Sequence, residues 1–207
     1  MKNIFLFLIA LVLLFGCSSN SKEVNDINEE AVKKDFTNTP FVEKQELKII
    51  EKKVVETNDS IIYTNYGFTI TYPKDWELIE TNTSAKIVLL SEFEDKQDNV
   101  RENIAIGLDE LTAEVTVQQY AIKNIEDIEK KTGLKAENED TVEINGLQAY
   151  KVVFTPRIKN GINLKQMQLY IIKDNAGYII TFTAEEKNFA AYLNKTNEII
   201  NSFIINS

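Results

Sequence analysis

Asn145-Gly146 stands between two runs of β-forming residues, 140–144 and 148–154. Asn-Gly takes the left-handed conformations that a two-residue hairpin loop demands, so the runs on either side are expected to pair antiparallel. Asn160-Gly161 repeats the signal before the run 166–172, and Asn175-Ala176-Gly177 leads into 178–183. Consecutive hairpins of this kind make an antiparallel meander. Upstream, the runs 61–64 and 68–72 flank a turn at Asn65-Tyr66-Gly67. The second of them stops at Pro73, which has no N–H to give a ladder. Residues 85–90 and 104–108 read as further strands, separated by the acidic stretch 92–98.

Two segments change period. Thr116 and Gln119 form a capping-box pair, after which Val117, Tyr120, Ala121, Asn124, Ile125 and Ile128 share one stripe. Gly133 sits where a left-handed helix terminator is wanted. A second helix is expected behind a Thr183–Glu186 box, with Phe189, Tyr192, Leu193, Thr196, Ile199, Ile200 and Phe203 at helical spacing. Each helix has one apolar face and is expected to lie on a sheet. Two helices and about seven strands give an α+β domain over 61–205, an antiparallel β-sheet flanked by helices. A domain near that size buries about 68% of its unfolded surface, enough to fold alone.

The opening of the chain has another logic. Met1-Lys2-Asn3 is a short basic start, residues 4–15 are apolar on every face, and Leu14-Phe15-Gly16-Cys17 closes the run. Twelve helical residues rise about 18 Å, short of the roughly 30 Å of hydrocarbon that a spanning helix crosses. Residues 1–16 therefore read as a signal peptide with cleavage after Gly16. The sequence around Cys17, followed by Ser18-Ser19-Asn20, resembles the lipobox of bacterial lipoproteins, with Phe15 bulkier than the usual small residue. That resemblance implies a thioether-linked diacylglycerol on Cys17 and an acylated amino group of the palmitate kind. It places the protein in the cell envelope, facing outward from the cytoplasm and attached to the membrane through its lipid. Ser18, in place of Asp, resembles the pattern sent on to an outer membrane where a bacterium has one.

Residues 17–60 read as a charged, flexible tether. Within 21–60, seven lysines face ten acidic residues, with one proline and no glycine. A flexible chain of that length spans on the order of 35 Å. Residues 47–55 fit a helix and an edge strand equally poorly, and both stay open. Phe36 and Phe41 are candidates for docking on the domain.

Composition removes several functions. The whole chain has formal charge −9, and loss of Lys2 with the leader makes it more negative. Such a surface repels nucleic-acid phosphates, so no nucleic acid is expected as a partner. Cys17 is the single cysteine, so no disulfide staples the fold. Histidine is absent altogether. Ser-His-Asp and Cys-His catalysis, Cys/His zinc sites and histidine acid–base chemistry go with it. No cofactor or metal is expected.

The element order then looks familiar. Tyr66-Gly-Phe-Thr-Ile-Thr-Tyr-Pro-Lys-Asp-Trp76 opens the domain and Asn103-Ile-Ala-Ile106 is a mid-domain strand. A helix begins at Val117-Gln-Gln-Tyr120, and Ile144-Asn-Gly-Leu-Gln-Ala149 leads into another strand. Tyr178-Ile-Ile-Thr-Phe-Thr-Ala184 precedes a final helix that ends at Ser202-Phe203. Over about 66–204 this resembles the PsbP-like superfamily, which includes a Ran-binding nuclear import factor and DcrB-type bacterial lipoproteins. The resemblance implies an α/β/α sandwich and a non-enzymatic binding or assembly module. Metal-binding histidines of some plant members have no counterpart here.

Candidate site residues are few. Trp76 and Tyr66, both in the opening motif, are the candidate partner contacts, since large aromatics dominate hot spots. For Trp76 the competing reading is a ring closing one end of the core. Glu92, Glu94, Asp95 and Asp98 crowd one loop but lack EF-hand spacing, and read as solvated acids. Glu137, Glu139, Asp140 and Glu143 read as a wet strand face. Ser84-Ala85-Lys86 misses the Ser-x-x-Lys spacing of a serine–lysine nucleophile. The expectation is an envelope component that binds or stabilises an envelope protein partner without transforming it. The alternative is a small-ligand or carboxylate-dependent hydrolase pocket between sheet and helices; a third reading is a structural envelope protein with no ligand. A flat exposed patch rich in Tyr and Ile favours the first, and a cavity with converging carboxylates the second.

Overall fold

The structure, a computed structural model, describes residues 51–96, 98–157 and 162–206. The expected signal peptide (1–16), Cys17, Phe36, Phe41 and Asn160-Gly161 lie outside the described residues. Eleven strands and two helices follow in the order β1 (Lys53–Glu56), β2 (Ser60–Asn65), β3 (Phe68–Pro73), β4 (Glu77–Glu80), β5 (Ala85–Leu90), β6 (Asn103–Glu110), α1 (Val117–Thr132), β7 (Asn138–Ile144), β8 (Leu147–Phe154), β9 (Leu164–Lys173), β10 (Ala176–Glu185), α2 (Phe189–Asn201) and β11 (Ile204–Ile205). They form two antiparallel sheets. The larger runs β4-β5-β6-β10-β9-β8-β7 and the smaller β1-β2-β3-β11.

The layers follow from which faces are apolar. On one face of the large sheet, α1 lays Tyr120, Ala121, Ile125 and Ile128 against Tyr150, Val152, Phe154 and Tyr170. On the other, α2 and the small sheet share a single core with Ile104, Ile106, Leu169, Ile171, Ile180 and Phe182. This is the expected α+β arrangement of an antiparallel sheet between helices, with one addition: the second outer layer is completed by the small sheet. Buried on both faces, β9 shows a continuous run of six buried residues, whereas β3 alternates buried and half-buried.

Local chemistry sets the boundaries. Thr116 accepts from the Gln119 N–H at 3.2 Å and the Gln119 side chain accepts from the Thr116 N–H at 2.9 Å, the reciprocal box expected from the sequence. Gly133 closes α1 at φ 75°. Asn145 (φ 49°) and Gly146 (φ 78°) make the hairpin turn between β7 and β8. The Asn145 side chain also donates to the carbonyls of Asn201 and Phe203, both at 2.8 Å, and so ties this turn to the end of α2.

Three features differ from expectation. The Thr183–Glu186 box does not form. Thr183 lies inside β10, whose ladders with β6 and β9 outcompete a local cap, and α2 starts after Asn188 with no side-chain cap bond. The turn before β10 is Asp174-Asn175, both at positive φ, so Gly177 belongs to the strand. It is there because Tyr120 packs on it: a Cβ at Gly177 would lie 2.5 Å from the Tyr120 ring. Finally β4 and β11 add strands of four and two residues, too short to carry a periodic signal, while β1 takes the edge-strand reading left open at the end of 47–55, within the stretch read as a tether.

Candidate functional site

The outer face of the small sheet is the one broad strand surface with nothing from the described residues packed as a layer upon it. Register fixes its members. Lys53, Thr64, Thr69 and Ile204 form one row, and Val55, Ile62 and Thr71 the next. Ile204 is 53% exposed and Val55 37%. Ile62, Thr64, Thr69 and Thr71 are half-buried. Hydroxyls on this face are organised among themselves: the Thr64 and Thr69 oxygens lie 2.9 Å apart, and Thr69 donates to Asn206 Oδ1 at 3.1 Å. Ser202 completes the border, accepting from the Thr71 N–H at 2.8 Å and donating to the Thr71 carbonyl at 3.0 Å. In a chain with 27% charged residues, this surface carries one charge, at its edge, Lys53. β-branched and nearly uncharged, it is suited to contact.

Tyr66 stands at one end of that sheet, in the turn between β2 and β3, at φ 49°. Its N–H donates to Asn65 Oδ1 at 2.8 Å and its ring lies 6.4 Å from that of Phe68. The residue is half-buried, with Gly67 following at φ 77° to finish the turn. Trp76 is elsewhere and 3% exposed, inside the core shared by the two sheets. Lys195 lies 5.9 Å from its ring centre and is held there by Asp75 at 2.6 Å. Both residues serve the same core: Trp76 is a buried member of it, and Tyr66, in the turn, packs half-buried against it.

The acidic groups have other tasks. Asp98 accepts from the N–H groups of Glu94 and Val100, each at 2.9 Å, and Asp95 accepts from the N–H of Asp98 at 3.0 Å, so these side chains fasten their own loop. On β7, Glu139 accepts the Tyr150 hydroxyl and Asp140 lies 3.7 Å from Lys151. Among the described residues, no group of three potential ligands is assembled for a metal ion.

Sequence reasoning missed Glu102. Among the described residues it is the only fully buried carboxylate, at 0% exposure beneath the start of α2. Ser91 and Asn188 approach its two oxygens, each at 3.4 Å. Burial pushes its carboxyl above the usual carboxylate range; the charges of Asp98 and Glu94 add to the rise, and Asn188 opposes it. Nearby Tyr192 is pushed up to about 12 by burial and by the charges of Glu102 and Glu94. Asn188 also donates to Glu94 Oε2 at 3.2 Å, so Glu102 and Glu94 flank one amide, the first buried and the second exposed. A single Glu before a strand gives no sequence signal that it is buried.

The opposite face of the large sheet carries a neutral polar band. Leu90, Asn103, Thr183, Gln166 and Phe154 form one row across five strands, and Val88, Ala105, Thr181, Gln168 and Val152 the next. Gln166 donates to Thr183 Oγ1 at 3.1 Å, while Asn103 Oδ1, Gln166 Oε1 and Gln168 Nε2 find no hydrogen-bond partner. All five polar members are at most 5% exposed, so the band is closed to solvent.

The model of the PsbP-like protein family matches residues 31–205. The chain belongs to the PsbP-like family. Solved structures agree on the PsbP-like fold. The cyanobacterial PsbP (CyanoP) of Synechocystis sp. PCC 6803 superposes with a TM-score of 0.56 at 11% identity, covering 73% of this chain and 95% of that one. The Pseudomonas aeruginosa protein PA94 gives 0.50 at 13% identity, covering 74% and 96%. LpqN of Mycobacterium tuberculosis, itself involved in cell envelope biogenesis, gives 0.49 at 16% identity over 76% and 91%, a likeness too weak to bear on this chain. No curated protein matches the chain in sequence.

Proposed function

We propose that this PsbP-like protein is a lipid-anchored, extracytoplasmic lipoprotein whose domain binds or stabilises another component of the cell envelope without transforming it. The observation that carries the anchoring is the leader: a basic start, twelve apolar residues and Gly16-Cys17, with the chain's single cysteine at the acceptor position. Among the described residues no helix is long and apolar enough to cross a membrane. The open face of the small sheet supports the binding role, because Val55, Ile62 and Ile204 present apolar surface between threonines and no reactive pair.

Two measurements test the reading. The mass of the mature protein from its native envelope should exceed that of the polypeptide from Cys17 by acyl groups, and Cys17→Ser should remove the gain. A photoreactive residue at Ile62 or Ile204 in intact cells should capture one defined envelope protein, while the same residue at exposed Glu126 on α1 should not. Cytosolic protein with an uncut leader, or equal capture from both faces, overturns the proposal.

A further inference from the structure

A sheet face that is buried needs a layer over it, and half of one face of the large sheet is buried without one among the described residues. α1 lies over β8 and β9, with Tyr120 on β10 at Gly177. On β5 and β6 the same face holds Val88, Leu90 and Ala105, at 3%, 5% and 2% exposure. Their apolar neighbours are Ala85 on β5 and Ile79 on β4, and no apolar side chain of a helix or loop among the described residues joins the cluster. Side chains of one sheet stand beside one another on its surface and do not by themselves take each other out of water.

Position and length select what lies over them. Residues 158–161 are held at the far side of the sheet, because Arg157 and Asn163 on either side of them are bridged beyond β8 and β9. The chain before Glu51 begins in the right place. Lys52 is ion-paired to Glu80 at the end of β4, the edge strand of the half in question. From that edge β6 is two strand spacings in, about 10 Å. Phe41 lies ten residues before Glu51, and ten extended residues reach about 33 Å, enough to pass round the β4 edge and across. The family match also begins at residue 31, so the family's unit includes chain ahead of the described sheets.

Charge narrows the segment further. The two rows Leu90-Asn103-Thr183 and Val88-Ala105-Thr181 carry no charge, and burying an unpaired charge over them would be costly. Within 21–60, where charged residues are dense, the longest uncharged run is Phe36-Thr-Asn-Thr-Pro-Phe-Val42, seven residues with three large apolar side chains. The neutral run and the neutral face are within reach of each other.

We propose that residues 36–42 of this same chain cover the β4–β5–β6 half of the large sheet, seating Phe36 and Phe41 over Val88, Leu90 and Ala105. The occupant is intramolecular, and it shortens the tether. With Cys17 lipidated as proposed above, the tether is residues 17–35 and spans on the order of 24 Å in place of 35 Å. The docking itself does not rest on that anchoring.

A photoreactive residue replacing Phe41 in the full chain tests the docking. Irradiation should join it to 79–90 or 103–107 of the same molecule, in a product of monomer mass. The same residue replacing Asn25, ahead of the family match, should not reach that face. Thiol labelling gives a second readout, with the parent chain run alongside to account for Cys17. Val88→Cys should label slowly in the full chain, and about tenfold or more faster once Phe36→Ser and Phe41→Ser are added. Leu89→Cys, which faces the other core at 0% exposure, should stay protected in that variant, showing that the domain remains folded. Crosslinks from position 41 that fall elsewhere, on a second copy or on another protein overturn the proposal. So do equal capture from position 25 and Val88→Cys labelling that the serines leave unchanged or raise only in step with Leu89→Cys.

Discussion

The two sheets of this domain are built from similar residues and put them to opposite uses. The large sheet is covered on both faces, and its central strands β6, β9 and β10 hold many of the fully buried side chains, among them Ile104, Ile106, Tyr170, Ile180 and Phe182. The small sheet is buried on one face only, through Tyr63, Phe68, Ile70 and Tyr72. Its other face is covered by no layer from the described residues. The difference teaches where a sequence change is felt as instability and where it is felt as altered association.

Substitutions sharpen that contrast. Phe182→Ala, at 0% exposure with its ring 5.0 Å from that of Phe189, should cost about 3–5 kcal/mol in chemical denaturation. A loss below about 1 kcal/mol would place the main core elsewhere. Gly177→Val forces the Tyr120 ring off β10 and should cost about 1–3 kcal/mol, with Asp109 losing its 2.7 Å bond from the Tyr120 hydroxyl. Thr116→Ala removes the capping box on α1 and should cost about 1 kcal/mol.

Glu102→Gln tests the boundary between the two sheets, and its effect depends on pH. Because the folded state raises the carboxyl's pKa, ionisation of Glu102 opposes folding. The penalty is absent below the unfolded pKa near 4.3, grows as pH rises through the folded value, and is complete above it. The variant should thus be the more stable protein at neutral pH, with the advantage vanishing in acid. An advantage that grew in acid would show that Glu102 is held ionised by its partners. Smallest of all, Ile62→Ser and Ile204→Ser on the open face should shift stability by about 0.5 kcal/mol or less, while weakening capture of a partner.

The same contrast explains what could be read from the chain. Both hairpin turns at Asn65 and Asn145, the α1 caps at Thr116 and Gly133, and the apolar stripes of both helices were legible, because each is a local pattern with a local cause. Thr183 misled because it is equally good as a cap and as a strand residue, and only the neighbouring strands decide. β4 and β11 stayed hidden because a two- or four-residue strand is specified by what it pairs with, whereas β1 falls at the end of 47–55, where an edge strand was one of two open readings. Of the candidate residues, Trp76 lies within the core and Tyr66 packs half-buried against it, a difference of degree that aromatic character alone does not predict. Glu102 was invisible for the complementary reason: its burial is created by α2, far along the chain.

The small sheet also has a history written into its order. β3 receives its last neighbour, β11, from a segment so distant that Thr71 and the Ser202 that braces it are 131 residues apart. During synthesis or export the early strands must wait, one flank bare, until that distant stretch has emerged. Residues 202–206 therefore act as a clasp, and the closed sheet is a record that the intervening polypeptide has arrived intact.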